Sequence, residues 1–106
     1  MEIDIQNLIL DRLNKAGIFC FRVNTAGIYD EKNKTYRKPA KFTLAGTSDI
    51  IGLLPNGRFL AIEVKSKSGR PSKEQLAFLR KVNSLGGIGL VANSLDVVEY
   101  ELKEFL

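Results

Sequence analysis

The chain has 106 residues, enough for one domain around a single hydrophobic core and too few for two. Apolar residues make up 44% and charged residues 26%, ordinary globular usage that argues against disorder along the whole chain, while a net charge of +4 favours an anionic partner, nucleic acid first. With one cysteine and no histidine, an intramolecular disulfide, the usual Cys/His zinc sites and a cysteine–histidine nucleophile are all excluded.

The opening "MEIDIQNLILDRLNKAG" lacks a basic stretch followed by an apolar one, so no signal peptide is expected. No apolar run approaches membrane-spanning length, and the expectation is a soluble intracellular protein. From Glu2 to about Ala16, Ile5, Leu8, Ile9, Leu13 and Ala16 recur at helical spacing, and Gly17 ends the run. "IFCFRVN" follows as a strand in which Cys20 acts as a small buried hydrophobe. Residues Thr25 to Thr47 are polar and too long for a simple connector, so they form a functional loop, a mobile segment or a weakly signalled hairpin. Two apolar runs flanking "PNG" make a hairpin from about Asp49 to Ser66. "PSKEQLAFLRKVNSLGG" is a second helix, with Ser72 as N-cap, Leu76, Leu79, Val82 and Leu85 as its stripe, and Gly86 or Gly87 as its stop. "IGLVAN" is a short strand and "SLDVVEYELKEFL" a terminal helix. The order α-β-β-β-α-β-α predicts an α/β fold, a mixed sheet flanked by helices, because the second helix must return the chain to a parallel neighbour.

The hairpin carries the chemistry. Residues two apart on a strand share a face, so Glu63 and Lys65 point one way while Ile62 and Val64 point into the core. Alone, such a pair reads as a solvated ion pair. Asp49 opens the partner strand, and the turn decides whether it meets Glu63. A two-residue "NG" loop puts Asp49 opposite Val64, on the wrong face. A three-residue loop of Pro55, Asn56 and Gly57, with the glycine left-handed, pairs Ile50 with Ile62 and Asp49 with Glu63. Two carboxylates held close repel unless a cation lies between them, and oxygen ligands with open positions suit Mg²⁺ or Mn²⁺. Lys65 beside them would act on an attacking water or on charge building at a phosphoryl oxygen. Together these parts read as metal-assisted phosphodiester hydrolysis.

"SD", thirteen residues, "EVK" and then Gln75 on a helix resembles the PD-(D/E)XK nuclease superfamily. Within it, "MEIDIQ", "FRVNTAG", "GTSDIIG", "LAIEVKSKSGRPSKEQ" and "GGIGLVAN" are similar to the virus-type replication–repair nuclease (VRR-NUC) family, from Glu2 to about Asn93. The resemblance implies a restriction-endonuclease-like core filling one domain over residues 1–106. It implies Asp49 and Glu63 as metal-binding acids, the Val64 carbonyl as a further ligand, Lys65 as the motif lysine, Gln75 as the helix glutamine and Glu2 as the first-helix acid. Ser48 stands where the family usually has proline. Gln75 also completes an S-x-x-Q capping box with Ser72, and Glu2 is also a helix-N-terminal acid, so each keeps two readings. Arg22 and Asn24 match the family's "RVN" without a mechanism of their own.

The remaining basic residues take their reading from this context. Lys67, Arg70 and Lys73 follow the motif lysine where a phosphate backbone would pass. "KNKTYRKPAK" holds five basic residues and no acid, so Lys34, Arg37, Lys38 and Lys41 are expected to clamp DNA phosphates, with some disorder when DNA is absent. The family likeness implies a Mg²⁺- or Mn²⁺-dependent endonuclease acting on branched DNA such as Holliday junctions, working as a homodimer in the cytoplasm of a bacterial or phage-infected cell. Its rivals are a DNA-binding subunit without turnover and a basic α/β domain with an incidental surface ion pair.

Overall fold

The computed structural model describes residues 1–23, 29–32, 34–36, 41–42, 44 and 46–106. Helix α1 spans Glu2–Lys15, and strand β1 spans Phe19–Arg22. A separate two-stranded hairpin follows, β2 (Tyr29–Asp30) with β3 (Thr35–Tyr36), so the polar stretch contains the weakly signalled hairpin. Next come β4 (Ile50–Leu53), β5 (Phe59–Val64), α2 (Lys73–Ser84), β6 (Ile88–Ala92) and α3 (Leu95–Glu101), with a 3₁₀ turn over Lys103–Phe105. The main sheet runs β1-β4-β5-β6, antiparallel except for the parallel β5/β6 pair that α2 connects. This is the expected α/β architecture and order, with β2 and β3 added. Among the described residues, no helix is long and apolar enough to cross a membrane.

Strand alternation divides the core. Cys20, Ile50, Leu60, Ile62 and Val64 face α1 and α3, where Ile9, Leu13, Val98 and Leu102 close the larger cluster. Ala61 faces the other way, under Leu79 and Val82 of α2, with Ile51 and Phe78 packed alongside. Helix α2 covers only part of its face, and Phe19, Phe21, Leu53 and Phe59 remain exposed there. Two stripe residues differ from the sequence expectation. Leu8 is 57% exposed, because the buried stripe of α1 runs through Gln6, Ile9 and Leu13 and leaves position 8 on its flank. Leu85 is the C-cap of α2 and lies in solvent, while Phe78 takes up the packing.

The β4–β5 turn is the three-residue one. Leu54 N–H donates to the Arg58 carbonyl at 2.9 Å, Gly57 N–H donates to the Leu54 carbonyl at 2.8 Å, and Gly57 has φ +87°. Asn56 Oδ1 accepts from Arg58 N–H at 3.1 Å and steadies the turn. Ile50 accordingly pairs with Ile62, and the same count places Asp49 opposite Glu63. Pairs alternate along an antiparallel ladder, and with Leu54/Arg58 hydrogen-bonded, Asp49/Glu63 falls in the non-hydrogen-bonded class, whose side chains stand closest.

A second left-handed glycine, Gly46 at φ +81°, lies against the first turn of α2, where an added Cβ would sit 2.6 Å from the Glu74 backbone carbon. At Gly57 the same added atom meets nothing within 4 Å. Gly57→Ala is therefore expected to cost roughly 1–2 kcal/mol, from backbone strain alone. Gly46→Ala should cost clearly more, because strain and a backbone clash add. Urea midpoints of the two variants check the order; equal losses would contradict the close approach of residue 46 to α2.

Candidate active site

The site forms where β4 begins and β5 ends. Glu63 sits on the α2 face of β5, and its side chain is only 1% exposed, so the solvated surface pair is not what forms. Lys65 Nζ lies 3.2 Å from Glu63 Oε2. Glu63 Oε1 is buried with no hydrogen-bond partner among the described residues. Such an atom is costly to keep unless something else meets it.

Asp49 is fixed from two sides. Its main-chain carbonyl accepts from Val23 N–H at 2.8 Å, and its Oδ2 accepts from Val64 N–H at 2.8 Å. In a continuing ladder that last N–H would bond to the Ser48 carbonyl; the carboxylate takes it instead. Lys65 N–H donates to the Ala92 carbonyl on β6 at 3.0 Å. Across a trans peptide, this turns the Val64 carbonyl towards β4, the side on which Asp49 lies. Two carboxylates and one backbone carbonyl thus converge on one strand end.

The electrostatics follow from that crowding. Burial, and next the charge of Asp49, push the Glu63 carboxyl from an ordinary 4.5 to about 7, against the opposing pull of Lys65. A buried carboxylate with an orphaned oxygen beside a second carboxylate suits a hard divalent cation held by oxygen ligands. Among the described residues, no group of three or more His, Cys, Asp or Glu side chains converges, so the side-chain donors are this acid pair.

Glu2 stands nearby. Its Oε2 accepts from Ser66 N–H at 3.1 Å, tying the start of α1 to the end of β5. It does more than complement a helix dipole. Gln75 forms the capping box: its N–H donates to Ser72 Oγ at 3.1 Å, and its Oε1 accepts from Ser72 N–H at 2.8 Å. Its carbonyl oxygen is committed to the helix start. Ser48 is buried, and its Oγ has no partner among the described residues. Cys20 is the expected small hydrophobe, its thiol pushed up by burial.

Lys67, Arg70 and Lys73 are exposed beyond the motif lysine. Lys34 and Lys41 are exposed as well, and Lys41 Nζ lies 5.6 Å from the Phe42 ring centroid. Arg37, Lys38 and Asn24 lie outside the described residues. One contact escaped sequence reasoning: Arg22 on β1 donates from Nε to Gln6 Oε1 at 2.8 Å and from Nη2 to Asn7 Oδ1. The available signal was Gln6 itself, a polar residue in the buried stripe of α1.

The fold is an α/β domain, a four-stranded mixed sheet flanked by helices, with an acid pair and a lysine at one strand end. The family model of the VRR-NUC domain matches residues 2–96, and the chain belongs to that nuclease-type family. A solved structure described as a VRR-NUC domain is similar in fold, with a TM-score of 0.65 and 20% identity over 97% of this chain and 94% of that one. No curated protein matches the chain.

The raised Glu63 carboxyl makes stability pH-dependent. Below about 4.5 folded and unfolded states are both protonated; between 4.5 and about 7 only the folded state keeps the proton, so stability falls as pH rises. The fall levels off above about 7. Denaturation in EDTA from pH 4 to 8 is expected to show this decline in the wild type and its loss in Glu63→Gln. Parallel curves for the two proteins would contradict the buried, acid-paired environment of Glu63.

Proposed function

We propose that this protein is a Mg²⁺- or Mn²⁺-dependent DNA endonuclease. The observation that carries the reading is the buried Glu63, one oxygen without a partner among the described residues, set opposite Asp49 with Lys65 on its other oxygen. Asp49, Glu63 and the Val64 carbonyl would hold the cation. Bound there, it supplies polarisation of a phosphoryl oxygen and a lower pKa for the attacking water.

The chain's own groups do the rest. Lys65, held at 3.2 Å by Glu63, presents its ammonium to orient the water or to stabilise charge developing on phosphate. Glu2 holds Ser66 N–H and so fixes the backbone directly after that lysine. Because Gln75 Oε1 is occupied by the cap, its contribution is a hydrogen bond donated from Nε2 to phosphate. Lys34, Lys41, Lys67, Arg70 and Lys73 add sequence-independent phosphate attraction. Branched DNA is the preferred substrate in this reading, and two symmetric cuts in a four-way junction call for a C₂ homodimer.

Cleavage of duplex, flap, splayed and four-way DNA with Mg²⁺, Mn²⁺ or EDTA tests the activity. Glu63→Ala is expected to lose both metal binding and cleavage. Lys65→Ala should keep metal binding and lose cleavage by roughly 10²–10⁴-fold. DNA and metal binding without any cleavage by the wild type would assign the chain to the non-catalytic subunit instead. Full activity of Lys65→Ala would remove the lysine from the mechanism. Light scattering that detects only monomer, free and on junction DNA, would contradict the dimer.

A further inference from the structure

We propose that Arg22 is a phosphate-binding residue that positions DNA at this site, held in readiness by Gln6 and Asn7. The inference rests on the nuclease reading. Arg22 ends the edge strand β1 and pairs with Ile50, and the next residue, Val23, donates its N–H to the Asp49 carbonyl at 2.8 Å. The guanidinium therefore leaves the sheet at the end that carries the acid pair.

Its partners set it apart from a structural arginine. Nε donates to Gln6 Oε1 at 2.8 Å and Nη2 donates to Asn7 Oδ1, and both acceptors are neutral amides. Arg12, on the same helix as those amides, shows the alternative: its Nε meets the Glu99 carboxylate at 3.2 Å and ties α1 to α3. An arginine that served only to tie α1 to β1 would be better held by a carboxylate, since charge-assisted bonds are roughly twice as strong. None of the ion pairs identified among the described residues involves Arg22, so within them its charge is steadied by neutral amides.

The side chain is exposed, whereas Gln6 is buried under the fold of α1. Among the described residues two of the five guanidinium donors are engaged, and Nη1 with the second Nη2 hydrogen makes the fork that phosphate matches. Much of the ordering of this long side chain is already complete in the free protein, so little entropy opposes binding. Register places Arg22 on the α1 face and the acid pair on the α2 face. It therefore grips a phosphate other than the scissile one, acting as a positioning residue whose loss falls on KM and Kd more than on kcat.

The test measures DNA binding in EDTA by fluorescence anisotropy across a salt series, on labelled duplex and four-way DNA. Arg22→Gln is expected to raise Kd roughly tenfold and to flatten the slope of log Kd against log salt by about 0.9, the value of one duplex phosphate contact. A Gln6→Ala/Asn7→Ala double variant keeps the charge, so it should keep the slope while binding more weakly. In the unaltered protein, bound DNA should slow phenylglyoxal modification of Arg22, read by mass spectrometry; this holds whether or not a variant folds. An unchanged slope for Arg22→Gln, or equal modification with and without DNA, overturns the proposal while the nuclease reading stands if the wild type still cuts. A wild type that binds no DNA in EDTA or with Ca²⁺, and cuts none with Mg²⁺ or Mn²⁺, overturns both.

Discussion

The register of the β4–β5 hairpin is the constraint on which the site depends. Side chains alternate along a strand, so a slip of one residue would send Asp49 to the opposite face and leave Glu63 alone. The three-residue turn with Gly57 at φ +87° prevents that slip. Once Asp49 faces Glu63, the Asp49 carboxylate takes the Val64 N–H and β4 begins beside the buried acid. Burial raises the Glu63 carboxyl, and this choice of pairing adds the charge of Asp49 to it, while Lys65, two residues along the same strand, meets one of its oxygens.

The two sheet faces divide the work around that strand end. On the α2 face stand the carboxylates and Lys65, and the first turn of α2 is closed by Ser72 and Gln75 and backed by Gly46. Across the other face runs the start of α1. Glu2 reaches Ser66 beyond β5, and one turn later Gln6 and Asn7 reach Arg22 on β1. A helix whose buried stripe were apolar throughout would pack as well, but it would leave that strand end and that arginine without partners.

What was legible in the sequence was what is encoded locally. The turn residues Pro55, Asn56 and Gly57 gave the register, Ser72 and Gln75 gave the start of α2, and β-branched runs gave the strands. The acid pair and its lysine could be read because strand alternation turns spacing into geometry. Burial along helix faces was less legible: Leu8 and Leu85 belong to helical stripes by count, yet tertiary packing decides which edge of a stripe is covered. The Gln6–Arg22 contact joins residues on different elements, so only the fold could bring it to view. For Gln75, sequence left capping and active-site roles open, and its carbonyl oxygen proved to serve the cap.

The central claim is that the buried oxygen of Glu63, without a partner among the described residues, is there to meet a cation. A crystal structure of the protein grown with Mn²⁺, with data collected at the manganese edge, tests it most directly. The expected result is an anomalous peak between the Asp49 and Glu63 carboxylates, with Glu63 Oε1 and the Val64 carbonyl among its ligands. No peak at the acid pair, with manganese bound elsewhere or not at all and the Lys65–Glu63 contact unchanged, would contradict the account.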